Sequence, residues 1–272
     1  MTQESVRPRP KLDWLMVVSI AAIAISLNVA FHEGVHALAC VLVGSEVQEY
    51  SALHVSCGEA TVWQSKVVSG SASIANLLLG SICWLLLPRV KNEASGMQFF
   101  VWLFMLMNWL YGAGYWMLSG AFNIGDWANV IDGLEPHWLW RAVMLVVGSG
   151  LFIFFIWLAL RAFGRIIGGA DKEQIGRATR LGVLSYLTSG LVILAAGLFN
   201  PYGILGLPAV AGLGAVLGAL SPLLWMMQWF KASTFVKKSG PALEIDRNWK
   251  LVALAGVTVF LYAFVLGRTL YF

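Results

Sequence analysis

Charged side chains are scarce in this sequence. Asp, Glu, Lys and Arg together make up 12% of the 272 residues, whereas 59% are hydrophobic. A soluble domain of this length needs a larger share of polar residues to cover its surface. The mean hydropathy of +0.76 therefore excludes a soluble globular protein and indicates an integral membrane protein built of helices.

Cysteine is also rare, with Cys40, Cys57 and Cys83 alone in the chain. The odd count and the lack of a framework spacing predict no disulfide scaffold. The net charge of +4 is small and the basic residues are scattered among short loops, which excludes a patch for nucleic acid. The sequence also lacks internal repeats, low-complexity tracts and a separate soluble domain.

Seven apolar segments are long enough to cross a membrane. The first follows three basic residues but continues too far for a signal peptide, so we expect a retained membrane helix. The fold class is therefore all-α, a polytopic protein with about six to seven transmembrane helices. The polar, partly alternating residues 45–67 predict a short β-hairpin or a re-entrant element after the first helix. The segments are residues 14–43, 68–87, 98–118, 138–163, 181–199, 204–230 and 250–270.

The distribution of Lys and Arg predicts the orientation of the chain. With seven alternating spans, fifteen basic residues fall on the N-terminal side and only Lys66, Arg141 and Arg268 on the other. The positive-inside rule then places the N-terminus in the cytoplasm. All four histidines lie at or near the opposite side, so we expect the functional site nearer the extracytoplasmic face. The sixth segment carries Gly214 and Gly218 in a G-x-x-x-G spacing, which permits close helix contact in lipid.

The run "FHEGVHALACVLVG", residues 31–44, places ionisable groups inside an apolar helix. His32-Glu33-Gly34-Val35-His36 fits the pattern H-E-x-x-H, in which two histidines four residues apart share one helical face. Both imidazoles then reach one Zn²⁺, and Glu33 contacts the attacking water without ligating the metal. Unpaired His and Glu are disfavoured in lipid, so a metal site is favoured over buried polar packing or a proton relay.

A catalytic zinc requires a third protein ligand and an open position. Asp126, in "NIGDW", is the preferred candidate, and Asp132, in "VIDG", is the alternative. The competing interpretation for each is a loop carboxylate that caps the next helix. His54 and Cys57, at H-x-x-C spacing, are weaker ligand candidates. His137 is interpreted as an interfacial side chain.

These motifs resemble those of the site-2 protease-type intramembrane zinc metalloproteases. The run "HEGVHALACVLVGSEV" is similar to that family's zinc-binding helix, and "SGSASIANLLLGSICWLLL" is similar to the segment on its next helix. The resemblance covers about residues 28–137 and implies that an aspartate roughly ninety residues after the second histidine completes the zinc site. Asp126 follows His36 by 90 residues and Asp132 by 96, so the family's spacing favours Asp126 and its Asp-Gly pair favours Asp132.

Three asparagines are candidates for substrate binding. Asn28 lies one turn before His32 on the same face, where it either binds a ligand or cross-links helices. The resemblance implies that Asn76 lies near the site, and Asn123 is similar to an asparagine that precedes the family's ligand aspartate. Asn108 is interpreted as a source of further hydrogen bonds between helices.

The sequence therefore predicts a zinc-dependent intramembrane endopeptidase that cleaves transmembrane segments of other membrane proteins, with one Zn²⁺ per chain held by His32, His36 and Asp126. We expect residues 1–163 to form the metalloprotease core and residues 164–272 to add further helices. The short loops favour a multi-pass protein of a prokaryotic cell membrane. The alternatives are a transporter or proton relay, an inactive protease-like protein that binds a membrane partner, and a zinc hydrolase of lipids or peptidoglycan precursors.

Overall fold

The computed structural model describes residues 11–90, 95–168, 172–231 and 242–272. Short helices connect or extend several of the long ones, and three short strands form a small sheet. The helices are α1 (Trp14–Leu42), α2 (Val62–Leu86), α3 (Ser95–Phe122), α4 (Asp126–Ile131), α5 (His137–Ile167), α6 (Lys172–Phe199), α7 (Leu207–Leu220), α8 (Pro222–Trp225) and α9 (Trp249–Val259). The strands are β1 (Val47–Tyr50), β2 (Val55–Cys57) and β3 (Leu270–Tyr271).

The chain is a multi-pass integral membrane protein. In the described ranges, six helices are long and apolar enough to cross a membrane. They correspond to six of the seven predicted segments, with ends that differ by a few residues, and the remaining segment, residues 98–118, lies within α3. The 28 residues of α3 also suffice in length, but its Trp, Tyr, Gly and Asn residues lower its hydropathy. The all-α fold class is confirmed.

Helix α1 lies at the centre of the bundle and packs against α2, α3, α6 and α9. Asp13 caps its first turn by accepting a hydrogen bond from the backbone N–H of Met16, at 3.0 Å. The helix ends at Leu42, and Gly44 then turns the chain with a φ of +81°. Most of its N-terminal half is buried, so the apolar residues before His32 form the core that holds the motif in place.

Helix α3 is largely buried and packs closely on α2. A Cβ added to Gly112 lies only 2.7 Å from the carbonyl oxygen of Ser73, and one added to Gly80 lies 2.5 Å from Trp109. Glycine at both positions lets the two helices approach more closely than side chains permit. This close approach brings the polar residues of α2 and α3 together beside α1.

The predicted β-hairpin is confirmed and is part of a three-stranded antiparallel sheet in the order β2-β1-β3. The pairing of β1 with β3, close to the C-terminus, is not indicated by the pattern of residues 45–67. The sheet packs on the last turns of α1 and on α2 through Ala39, Val68 and Val55. Tyr262, beyond α9, donates a hydrogen bond to the carbonyl of Ala52 at 3.0 Å and anchors the hairpin loop.

The prediction that the cysteines form no disulfide is wrong. Cys40 near the end of α1 is bonded to Cys57 of β2, and the buried Cys83 is free. The two partners are 17 residues apart and meet only because the hairpin folds back onto α1. Spacing in the sequence does not reveal such a pairing.

The predicted boundary between the metalloprotease core and the additional helices, at residues 163–164, lies within the last turns of α5. The division of the chain into these two parts stays a prediction. Of the basic residues counted for the orientation, Arg7, Arg9, Lys91, Lys237 and Lys238 lie outside the described residues.

Candidate metal centre

His32 and His36 lie on one face of α1, as their spacing predicts. Their Nε2 atoms are 3.3 Å apart, and both residues are buried. His36 precedes the end of α1 at Leu42 by six residues, which corresponds to a depth of about 9 Å. The pair therefore lies inside the bundle, below the sheet that covers this end.

Asp126 completes the group. Its Oδ2 lies 3.2 Å from Nε2 of His32 and 3.4 Å from Nε2 of His36. Gly125, with a φ of +79°, ends the turn after α3, and Ser119 Oγ fixes this turn by donating to the carbonyl of Ile124 at 2.8 Å. Asp126 is then the first residue of α4, from which its carboxyl points at the two imidazoles.

The three donor atoms have the separations that a tetrahedral zinc site requires. With metal–ligand distances of about 2.0–2.1 Å, the edges of a tetrahedron are about 3.3–3.4 Å long. The observed edges are 3.2, 3.3 and 3.4 Å. Two imidazole nitrogens and one carboxylate oxygen are also the donor set of a catalytic zinc that keeps one position open. The residues therefore fit Zn²⁺ without rearrangement.

The other nitrogen of each imidazole is occupied by an acceptor. His32 Nδ1 lies 2.7 Å from Asn76 Oδ1, and His36 Nδ1 lies 2.9 Å from the carbonyl oxygen of Val68. Both acceptors come from α2. Because an oxygen acceptor requires the proton on Nδ1, each Nε2 keeps its lone pair for a metal.

Asn76 is itself held by a chain of hydrogen bonds. Its Nδ2 donates to Asn108 Oδ1 at 2.8 Å, and Asn108 Nδ2 donates to the carbonyl oxygen of Phe104 at 2.8 Å. Asn76 and Asn108 are fully buried. The chain fixes the amide of Asn76 so that its oxygen faces His32.

The carboxyl of Asp126 is stabilised in its ionised form. Burial alone raises its pKa, but the two adjacent imidazoles of His32 and His36 outweigh burial, and the pKa of Asp126 lies below its usual range. The side chain of Asp126 is 20% exposed, compared with 1% for His32 and 10% for His36. Access to the group is therefore from the side of Asp126.

Glu33, the next residue after His32 on α1, is also buried. The sequence interpretation missed two tyrosines that pack on the same imidazole. Tyr115 stacks on His32 with ring centroids 4.9 Å apart, and Tyr111 makes an edge contact at 5.0 Å. The helical spacing of Asn108, Tyr111 and Tyr115 places all three on one face of α3, which is the signal that identifies them.

The other candidate residues lie outside the group. Asp132 is exposed at the end of α4, and its carbonyl accepts a hydrogen bond from Lys66 Nζ at 2.5 Å. The exposed Asn123 has its Oδ1 2.9 Å from Nε2 of the half-buried His137. Asn28 is fully buried, and neither polar atom of its amide has a partner among the described residues.

The two weaker ligand candidates of the hairpin also have other partners. Cys57 is bonded to Cys40. His54 lies 2.9 Å from Glu49 Oε2 through Nε2 and 2.8 Å from Ser51 Oγ through Nδ1. Within the described residues, His32, His36 and Asp126 are the group arranged to hold a metal.

Comparison with known proteins gives no match to a protein-family model, a curated protein or a solved structure.

Proposed function

We propose that this protein is a zinc-dependent intramembrane endopeptidase. The observation that carries the proposal is the triangle of His32 Nε2, His36 Nε2 and Asp126 Oδ2, with edges of 3.2–3.4 Å, beside a buried glutamate. Zn²⁺ held by these atoms would supply Lewis-acid chemistry and would make water acidic enough to ionise near neutral pH. His32, His36 and Asp126 are the ligands, and Asp132 is too exposed to serve in place of Asp126.

Glu33 is the general base and the later proton donor. It accepts a proton from the attacking water as the water oxygen bonds to the scissile carbonyl carbon. It then delivers that proton to the amide nitrogen as the C–N bond breaks, so the products are a carboxyl and an amine. Glu33 lies one residue after His32 on α1, which suits a residue that reaches the water and does not ligate the metal.

The substrate is a transmembrane segment of another membrane protein. Its scissile bond has to leave the helix before cleavage, because the carbonyls of a helix are hydrogen-bonded and shielded. The sheet beside the metal centre supports this step, since β2 is an edge strand and an extended peptide pairs with such an edge. Residues of the 45–67 segment then hold the unwound peptide.

The site faces the extracytoplasmic side in this proposal, and the N-terminus is cytoplasmic. The excess of basic residues on the N-terminal side supports this orientation. The Cys40–Cys57 disulfide adds a second argument, because disulfides persist in oxidising compartments and this one lies at the same end as the metal centre. A prokaryotic cell membrane is the proposed location.

The resemblance to site-2 protease-type enzymes gives further support. The contact between Asn76 and His32 agrees with the role that the resemblance implies for this asparagine. Asp126 lies beside His32 and His36 and follows His36 at the spacing that the resemblance implies, which supports the same ligand assignment. Family membership nevertheless remains part of the proposal.

The test combines metal analysis with a cleavage assay. We expect the purified full chain to contain about one zinc. Reconstituted in liposomes with a panel of single-span model peptides, it should release fragments that mass spectrometry identifies. Glu33→Gln should retain zinc but lose at least about a hundredfold in cleavage rate, the typical contribution of a general base.

Two outcomes contradict the enzyme and favour its alternatives. A wild-type chain without bound zinc favours a transporter or proton relay. A zinc-loaded chain that cleaves no peptide, with Glu33→Gln indistinguishable from the wild type, favours an inactive, partner-binding protein. Cleavage of phospholipid or of a peptidoglycan precursor instead of the peptides would identify a zinc hydrolase of these molecules and not a peptidase.

A further inference from the structure

An apolar cavity of about 240 Å³ lies between α3, α5 and α7. It is lined by Leu145 and Phe152 of α5, by four small residues of α7, and by Tyr111 and Tyr115 of α3. The four small residues are Gly214, Ala215, Gly218 and Ala219.

The G-x-x-x-G pair of α7 faces this cavity. The expectation that Gly214 and Gly218 permit close helix contact is not met, because a Cβ added to either has no described neighbour within 4 Å. The close contact between α3 and α7 lies instead at Ala219, whose Cβ is 3.1 Å from a Cβ added to Gly114. The two glycines therefore leave space open next to a tight helix crossing.

Two tyrosines are shared by the cavity and the metal centre. Tyr111 and Tyr115 line the cavity, and the same rings contact His32 at 5.0 and 4.9 Å. Their hydroxyl groups lie 3.5 Å apart. The apolar cavity therefore adjoins the metal centre across the two tyrosine rings.

We propose that this cavity is a specificity subsite that receives a large apolar side chain of the substrate, next to the bond that is cleaved. The inference rests on the proposed protease function. The volume is sufficient, since a dry cavity of about 150 Å³ in another protein takes up benzene. The apolar walls favour Leu, Met or Phe, and they disfavour a charged or amide side chain because its polar atoms would be left unpaired.

Binding of hydroxamates tests the subsite independently of cleavage. The probes are acetohydroxamate and the hydroxamates of N-acetyl-alanine, N-acetyl-leucine and N-acetyl-phenylalanine, titrated by calorimetry into the zinc-loaded full chain in detergent. We expect the leucine and phenylalanine probes to bind the wild type about 20-fold more tightly than the alanine probe. Gly218→Leu, which fills the cavity, should reduce this preference to less than about threefold.

Two variants control for folding and for general effects. Gly214→Leu fills the same cavity from one turn earlier and should also abolish the preference. Gly256→Leu is the matched control, because Gly256 of α9 is exposed, has no described neighbour within 4 Å of an added Cβ, and does not line the cavity. It should retain the wild-type preference. Acetohydroxamate, which has no side chain to place, should bind all four proteins within about twofold.

The contrary outcomes are distinguishable. If zinc and acetohydroxamate bind but the three amino-acid probes have equal affinity, or if the preference persists in both filled variants, the subsite is wrong and the proposed function stands. If neither zinc nor acetohydroxamate binds, the proposed function fails and the subsite fails with it. A phospholipid that native mass spectrometry finds on the wild type and not on Gly218→Leu, with an unchanged probe preference, identifies a lipid site instead.

Discussion

Asn76 on α2 fixes the imidazole of His32 on α1: its Oδ1 lies 2.7 Å from Nδ1, on the side of the ring away from the metal-binding nitrogen. The amide of Asn76 is held in turn by Asn108 on α3. Three helices thus determine one ring orientation. The candidate site is therefore a property of the packed bundle, although its two histidines are neighbours on one helix.

Removing this acceptor should weaken metal binding. We expect Asn76→Ala to raise the dissociation constant for zinc by about 10- to 100-fold, because His32 loses the partner that fixes its ring and tautomer. A competition titration with a chelator of known affinity measures the change. Asn123→Ala is the control and should bind zinc like the wild type, since the exposed Asn123 contacts His137 and not the metal-binding group. Equal affinities of Asn76→Ala and the wild type would show that the contact does not support the site.

The packing of α2 on α3 should depend on Gly112. Gly112→Ala places a methyl group 2.7 Å from the carbonyl oxygen of Ser73, so the helices must separate. We expect a loss of about 1–3 kcal/mol in the free energy of unfolding, seen as a lower midpoint in thermal unfolding. Gly150→Ala, with no described neighbour within 4 Å of the added Cβ, should unfold at or above the wild-type midpoint. Equal midpoints of the two variants would contradict the close crossing.

The disulfide should stabilise the connection between α1 and the hairpin. A loop of this length predicts that Cys40→Ser lowers the free energy of unfolding by about 3 kcal/mol. Peptide mapping without reductant should recover the fragments containing Cys40 and Cys57 as one linked species. In Cys83→Ser the linked species should persist, and reductant should still separate it into its two fragments. Free thiols at Cys40 and Cys57 in the oxidised protein would overturn the pairing.

The edge strand should contribute to cleavage and not to metal binding. The carbonyl of His54 and the N–H of Gly58 form hydrogen bonds on the side of β1. Backbone hydrogen-bonding groups of an antiparallel strand alternate in direction from one residue to the next, so the backbone N–H of Val55 points away from β1. Val55→Pro removes this donor, and we expect at least a tenfold slower cleavage of the model peptides with about one zinc retained. Val55→Thr keeps the donor and should cleave at nearly the wild-type rate. An unimpaired Val55→Pro variant would exclude edge pairing in the reaction.

The sequence predicts most of the helices because long apolar segments have few alternatives in a membrane. It predicts His32 and His36 as a pair because four residues make one helical turn. It does not decide between Asp126 and Asp132, since both lie in one loop and the conformation at Gly125 determines which carboxyl turns inward. The disulfide, the pairing of β3 and the tyrosines on His32 depend on contacts between distant segments, for which a single sequence carries little signal.

The zinc content of two aspartate variants tests the central claim most directly. Elemental analysis of the purified full chain should find about one zinc in the wild type and in Asp132→Ala. It should find less than about a tenth of that amount in Asp126→Ala after dialysis against a weak chelator. Retention of a full equivalent of zinc by Asp126→Ala, or its loss from Asp132→Ala alone, would contradict the proposed metal centre.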